Sequence, residues 1–126
     1  MGEDDTVLAM ERAALERWCR GDPSGFLEIS ASEVVYFDPF LPRRLDGLAA
    51  LRGYYESLRG KVSAARFELR NPMVTVAGEI ALLSFNFVSW GYDGGESCWN
   101  CTEAYRKATN GWRIIQSHWS LTGKVH

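Results

Sequence analysis

The sequence predicts an α+β fold in which a few short helices pack on one face of a strongly curved antiparallel sheet and leave a hollow between the two layers. Three observations carry that prediction. Apolar residues near the start recur at helical spacing, with Val7, Leu8, Ala14, Leu15, Trp18 and Cys19 on one stripe. From Val62 onward the chain holds four β-favouring runs, separated by Gly78, by Asp93-Gly94-Gly95 and by Asn110-Gly111. Both faces of the last strands are substantially apolar, so the sheet is expected to be covered on both sides, by helices on one and by a second subunit on the other.

Thr6 is placed to cap the first helix, which Gly21 stops. Asp22-Pro23 is a cap followed by a proline suited to a first helical position, so a short second helix carrying Phe26, Leu27 and Ile29 follows. Glu33 to Phe37 reads as a buried strand that ends at Asp38-Pro39, which leaves Asp38 at a strand end, where functional side chains often sit. Phe40 to Leu45 is a loop whose apolar content suggests that it folds over something. Asp46 caps a third helix with Leu48, Leu51, Tyr55 and Leu58 at helical spacing, and Gly60 ends it. Val62 to Ala77 forms a long strand, with a bulge expected at Asn71-Pro72 because proline removes a ladder donor.

The strands Ile80 to Tyr92, Glu96 to Lys107 and Trp112 to Ser120 form a meander. A two-residue turn at Asp93-Gly94 sets Phe87 opposite Asn100, Asn86 opposite Cys101 and Ser84 opposite Glu103. Asn86, Trp99, Glu103 and Tyr105 then share one face. For the last hairpin, a two-residue turn at Asn110-Gly111 puts His118 opposite Glu103. A three-residue loop from Thr109 to Gly111 puts Ser117 and Trp119 on the face of Glu103 instead.

At 126 residues, 46% hydrophobic and 24% charged, the chain is one domain of ordinary size that needs no metal or disulfide to hold a core. A net charge of −2 argues against nucleic-acid or membrane-surface partners. The start, Met-Gly-Glu-Asp-Asp, is acidic where a secretory signal is basic, and the expected location is cytoplasmic. The acidic residues suit the positive end of the first helix better than they suit the loose myristoylation pattern of Gly2 and Thr6. Cys98 and Cys101 form a Cys-x-x-Cys pair, but an odd offset on a strand sends the two sulfurs to opposite faces, so no metal or redox site is expected. No phosphate loop, dinucleotide glycine pattern or nucleophile elbow is present, so no cofactor is expected, and any reaction rests on acid–base chemistry.

Read in order, Tyr36-Phe37-Asp38-Pro39, Asp46-Gly47, Tyr54-Tyr55-Glu56, Asn71-Pro72, Cys101-Thr102-Glu103 and the run from Trp112 to Ser120 resemble the association (hub) domain of calcium/calmodulin-dependent protein kinase II and its stand-alone bacterial relatives. Those belong to the SnoaL-like, or nuclear-transport-factor-2-like, superfamily. The resemblance covers the chain from Trp18 to Ser120. It implies a cone fold, a small-molecule pocket and self-association through the outer sheet face, and it favours the three-residue loop, because the Trp119 position faces the pocket in the hub. It fixes no activity, since the superfamily holds steroid isomerases, dehydratases, polyketide cyclases and oligomerisation modules. Where the hub pocket carries arginines that bind carboxylates, the matching positions here are Asn86, Glu103 and Trp119, a charge reversal that disfavours an anion bound in that way.

Glu103, mid-strand among Trp99, Cys101 and Tyr105, is the leading candidate for a general base, because burial raises a carboxylate toward the useful range; the alternative is a solvated edge or an ion pair. Asp38 is a second candidate acid or base, or else a turn device that bonds nearby amides. His118 is either catalytic or a structural histidine. Tyr36, Tyr55, Asn86, Trp99 and Trp119 are the expected pocket lining. Two readings follow: a homodimeric or larger binding module for a small organic ligand, and a cofactor-independent isomerase or dehydratase.

Overall fold

A computed structural model describes residues 2–122. Helices α1 (Glu3–Trp18) and α2 (Ser24–Glu28) lead into β1 (Ser30–Phe37) and β2 (Leu45–Asp46). Helix α3 (Leu48–Leu58) follows, then β3 (Arg66–Ala77), β4 (Ile80–Trp90), β5 (Glu96–Ala108) and β6 (Gly111–Leu121). The strands form one sheet in the order β2-β1-β6-β5-β4-β3, antiparallel throughout except for β1 beside β6. The α+β class, the helix count and the meander are as the sequence predicts. No helix among the described residues is long and apolar enough to cross a membrane.

Several boundaries differ from expectation for local reasons. Helix α1 begins before Thr6, with Glu3, Asp4 and Asp5 in its first turn, where their charge meets the unsatisfied backbone amides. Asp46 does not cap α3. It pairs with Val35 in β2, and Gly47 precedes the helix at φ 93°, a conformation that costs glycine little. Gly21 ends the α1 region at φ 83°, and its carbonyl accepts from the Gly60 amide at 2.9 Å; a Cβ there would meet the Gly60 Cα at 3.1 Å. The ends of α1 and α3 are thereby held together. The bulge in β3 falls at Asn71-Pro72 as predicted, with Asn71 at φ 51°.

The β4–β5 register is one residue away from the expected one. Gly91 to Gly95 form a five-residue loop, closed by the Gly91 amide on the Gly95 carbonyl at 2.9 Å, so the Asp93-Gly94 two-residue turn does not form. Leu83 therefore faces Glu103, Phe85 faces Cys101, and Asn86 faces Asn100. Because side chains alternate, this slip moves Asn86 to the outer face. In the last hairpin the loop is Thr109-Asn110, and a register shift between Ala104 and Tyr105 restores the offset: Ser117 lies opposite Glu103, and His118 opposite Thr102. The expected partners for Glu103's face are reached by a bulge rather than by a longer loop.

The inner sheet face meets the helices in a core that includes Leu15, Leu51, Leu83, Tyr105 and Ile114, each at most 2% exposed. Burying side chains of this size stabilises the fold by about 1.5–3 kcal/mol apiece. The outer face exposes Met73 and Leu82 and carries an amide ladder in which the Asn86 Nδ2 donates to Asn100 Oδ1 at 2.8 Å.

Candidate functional site

Between helices and sheet lies a hollow of about 290 Å³. Trp18 of α1, Phe26 of α2 and Tyr54 and Tyr55 of α3 form one side; Phe87, Trp99 and Trp119 of the sheet form the other. On the sheet side the aromatic residues pack edge to face: Trp119 meets Phe85, Phe87 and Trp99 at 84–86°. Phe40, two-thirds exposed, sits at the mouth with its ring against Trp99 at 5.8 Å, so the 40–45 loop does fold over something.

Asp38 lines this hollow where β1 ends, since Pro39 cannot extend the ladder. Its Oδ2 accepts from the Tyr36 hydroxyl at 2.8 Å and from the Tyr54 hydroxyl at 2.6 Å, and its Oδ1 accepts from the Phe40 amide at 2.8 Å. The carboxylate that makes the turn thus also lines the hollow. Burial, and then the neighbouring Tyr55 and Asp38, push the Tyr36 phenol well up; burial and Asp38 do the same to Tyr54. Both phenols remain donors at neutral pH.

Behind the hollow is a second acidic group, fully enclosed. Glu103 is 1% exposed and Glu11 of α1 is 0% exposed. The Ser117 hydroxyl donates to Glu103 Oε2 at 2.6 Å, and the Tyr105 hydroxyl donates to Glu11 Oε1 at 2.7 Å. The two remaining carboxylate oxygens, Glu11 Oε2 and Glu103 Oε1, are buried with no other group donating to them. A proton on one carboxyl, donated to the other, would satisfy both. Desolvation raises both carboxyl groups; Glu11 is raised well up, with the charge of Glu103 adding to it, whereas the bond from Ser117 helps to keep Glu103 ionised. Glu11 is therefore the member that holds the proton.

Glu11, Cys101 and Glu103 offer donor atoms within 4.8 Å of one another, the one set among the described residues close enough to hold a metal ion. Burial and the two acids push the Cys101 thiol well above its ordinary value, so it stays protonated. A proton shared by the two acids would satisfy both open oxygens without an ion.

The structure thus brings Tyr36, Asp38, Tyr55, Trp99 and Trp119 around one hollow. Glu103 does not line it. It reaches the hollow indirectly, through Ser117, whose Oγ accepts from the Trp119 indole at 3.1 Å. Asn86 is on the outer face, contrary to its expected place in the lining. His118 is also on the outer face, exposed and stacked on Phe37 at 4.9 Å, so it cannot touch a molecule in the hollow. Two residues were missed. Glu11 stands on the apolar stripe of α1 between Val7 and Leu15, a glutamate where the spacing calls for an apolar side chain, and that was the available signal. Tyr54 neighbours Tyr55 on α3, and its signal was its place in the Tyr54-Tyr55-Glu56 run.

The model for the SnoaL-like domain matches residues 7–123. No curated protein matches. Among solved structures, a candidate ketosteroid isomerase from Parabacteroides distasonis is 38% identical, with a TM-score of 0.85, over 95% of this chain and 88% of that one. The S. rosetta CaMKII hub is 20% identical with a TM-score of 0.79, over 97% and 98% of the two chains. A candidate dehydratase from Streptomyces avermitilis is 21% identical with a TM-score of 0.79, over 97% of each. The last two show the fold alone.

Proposed function

We propose that this chain, which belongs to the SnoaL-like domain family, binds a compact and largely apolar organic molecule in the hollow at Asp38. The observation that supports the reading is a carboxylate of fixed orientation in the wall of an otherwise aromatic cavity. Apolar walls with a few placed polar groups are the usual composition of a ligand site, and a volume near 290 Å³ sits at the small end of such sites. One- and two-ring fragments should shift the indole N–H resonances of Trp18, Trp99 and Trp119 and leave that of Trp90, on the outer face, unmoved. Equal shifts at Trp90, or none anywhere, would sink the proposal.

A second reading makes Asp38 the general base of an isomerase or dehydratase. It is supported by two phenols beside that carboxylate, and by the 38% identity to the Parabacteroides candidate isomerase. Asp38 would take a proton from a carbon next to a carbonyl, and a phenol would polarise the carbonyl oxygen. Glu103, the other expected base, is walled off by Ser117 and Trp119. On a β,γ-unsaturated ketone followed by ultraviolet absorbance, Asp38→Asn should lower turnover by about 10²–10⁴-fold. Binding without turnover in the unsubstituted chain would leave the first reading alone standing.

We also propose self-association through the outer sheet face, on which Met73 is 66% and Leu82 45% exposed. Sedimentation should show a dimer or larger species that Leu82→Lys dissociates. A monomer at all concentrations would refute it.

A further inference from the structure

We propose that the hollow at Asp38 selects an organic cation, and specifically a methylated ammonium group, an inference that rests on the hollow being a ligand site. The first support is the sign of the charges around it. Asp38 is the only charged residue in the lining, and no lysine, arginine or histidine stands with it among the described residues there. The basic side chains at the nearby helix ends are engaged outside the hollow: Arg17 binds Asp22 and Glu28, and Arg59 binds Asp22 and Glu56.

The second support is how the rings meet. Trp99 and Trp119 cross at 84° with centroids 6.2 Å apart, and Tyr36 and Tyr55 cross at 86° with centroids 5.4 Å apart. Trp18 leans on Tyr55 at 4.9 Å. Rings packed in this way give the hollow an aromatic wall, and wherever a ring face borders the hollow its quadrupole attracts a cation. The Trp119 indole is further polarised, because its N–H donates to Ser117, whose hydroxyl donates in turn to the buried Glu103 carboxylate. A donor chain ending on a carboxylate pushes electron density toward the ring.

The third support is what the site does not offer. The Tyr36 and Tyr54 hydroxyls both donate to Asp38, so an anion would have to compete with that carboxylate for them. What remains is the charge of the carboxylate and the faces of the rings. A primary ammonium carries three N–H donors that lose their water on entry, and this wall has few acceptors to replace it. A tertiary or quaternary ammonium gives up little hydration and needs only negative potential and apolar contact. Methylation is therefore part of the inferred recognition.

The test uses three probes of one shape on the intact chain: choline, its uncharged carbon isostere 3,3-dimethylbutan-1-ol, and the anion 3,3-dimethylbutanoate. Affinities are read by titration of the Trp18, Trp99 and Trp119 indole resonances. Choline should bind at least about tenfold more tightly than the alcohol, and the carboxylate should not saturate. Asp38→Asn should weaken choline by about tenfold while leaving the alcohol nearly unchanged. Because the comparison among probes needs no variant, it stands even if the substitution unfolds the chain. If the alcohol binds as well as choline, cation selection is wrong and the ligand site survives. If choline fails while ring fragments still bind, cation selection is likewise overturned. If no probe or fragment binds, both readings fall.

Discussion

Glu103→Ala is expected to lower the folding free energy by about 2–5 kcal/mol, the range for a buried large-to-small change that also leaves polar groups unpaired. The cost has identifiable sources. Ser117 loses its acceptor, Glu11 Oε2 loses the oxygen to which it donates, and the space once filled by the side chain has no solvent to replace it. Glu103→Gln should cost far less, about 1 kcal/mol, because an amide oxygen still accepts from Ser117 and from protonated Glu11. The Trp119 indole is one bond further along the chain and should lose order in the alanine variant but not in the glutamine variant. Urea denaturation monitored by far-ultraviolet circular dichroism gives the stabilities. A loss below 1 kcal/mol for the alanine variant would mean that the two acids are not a coupled pair.

That pair also shows where reading from sequence reaches its limit. Elements governed by nearest neighbours were legible: the stripe of α1, the turn at Gly21, the strand end at Asp38-Pro39, and the bulge at Asn71-Pro72 follow from residues within a few positions of one another. Pairing across strands was not. Asp93-Gly94 has the composition of a two-residue turn, yet the Asp93 carboxylate accepts from the Gly95 amide at 2.8 Å and stabilises a wider loop. One residue of slip then turned Asn86 outward and paired Phe85, rather than Asn86, with Cys101. The bulge between Ala104 and Tyr105 has no local marker, because no glycine or proline stands there. Burial of Glu103 was one of two readings its neighbours left open, and its being walled off was not legible at all, since that depends on Trp119 closing over Ser117. Its partner Glu11 comes from 92 positions earlier in the sequence, a distance over which periodicity carries no pairing information. Asp38 could be placed at the site from a strand end alone, because β1 and α3 needed only to be adjacent for Tyr36 and Tyr54 to reach it.

The same acids should make stability fall as pH rises above the acidic range. Both carboxyl groups have an ordinary value of 4.5, and both are raised in the folded chain, first of all by desolvation. Between the unfolded and folded values the native state binds more protons than the unfolded state, so the derivative of unfolding free energy with pH is negative. The contribution is whole below about pH 4.5 and is lost as pH climbs through the folded values, at up to about 1.4 kcal/mol per pH unit for each proton retained. Other groups act in the opposite sense. Arg17 and Arg59 hold the Asp22, Glu28 and Glu56 carboxyls down, so their contribution is lost as pH falls, but these pairs are solvent-exposed and weakly stabilising. Tyr36, Tyr55 and Tyr105 are raised from ordinary values of 10.0 and add nothing below that pH. A double Glu11→Gln, Glu103→Gln variant isolates the pair: it removes both titrating groups and keeps the shape. Measured by urea denaturation from pH 5 to pH 9, the stability of the unsubstituted chain minus that of the double variant should decline with pH. The decline comes from the second proton, which Glu11 holds against the charge of Glu103 until pH passes through its raised folded value. Parallel curves would show that no proton is retained, and would remove the account of how two glutamates can lie 0–1% exposed in the same core.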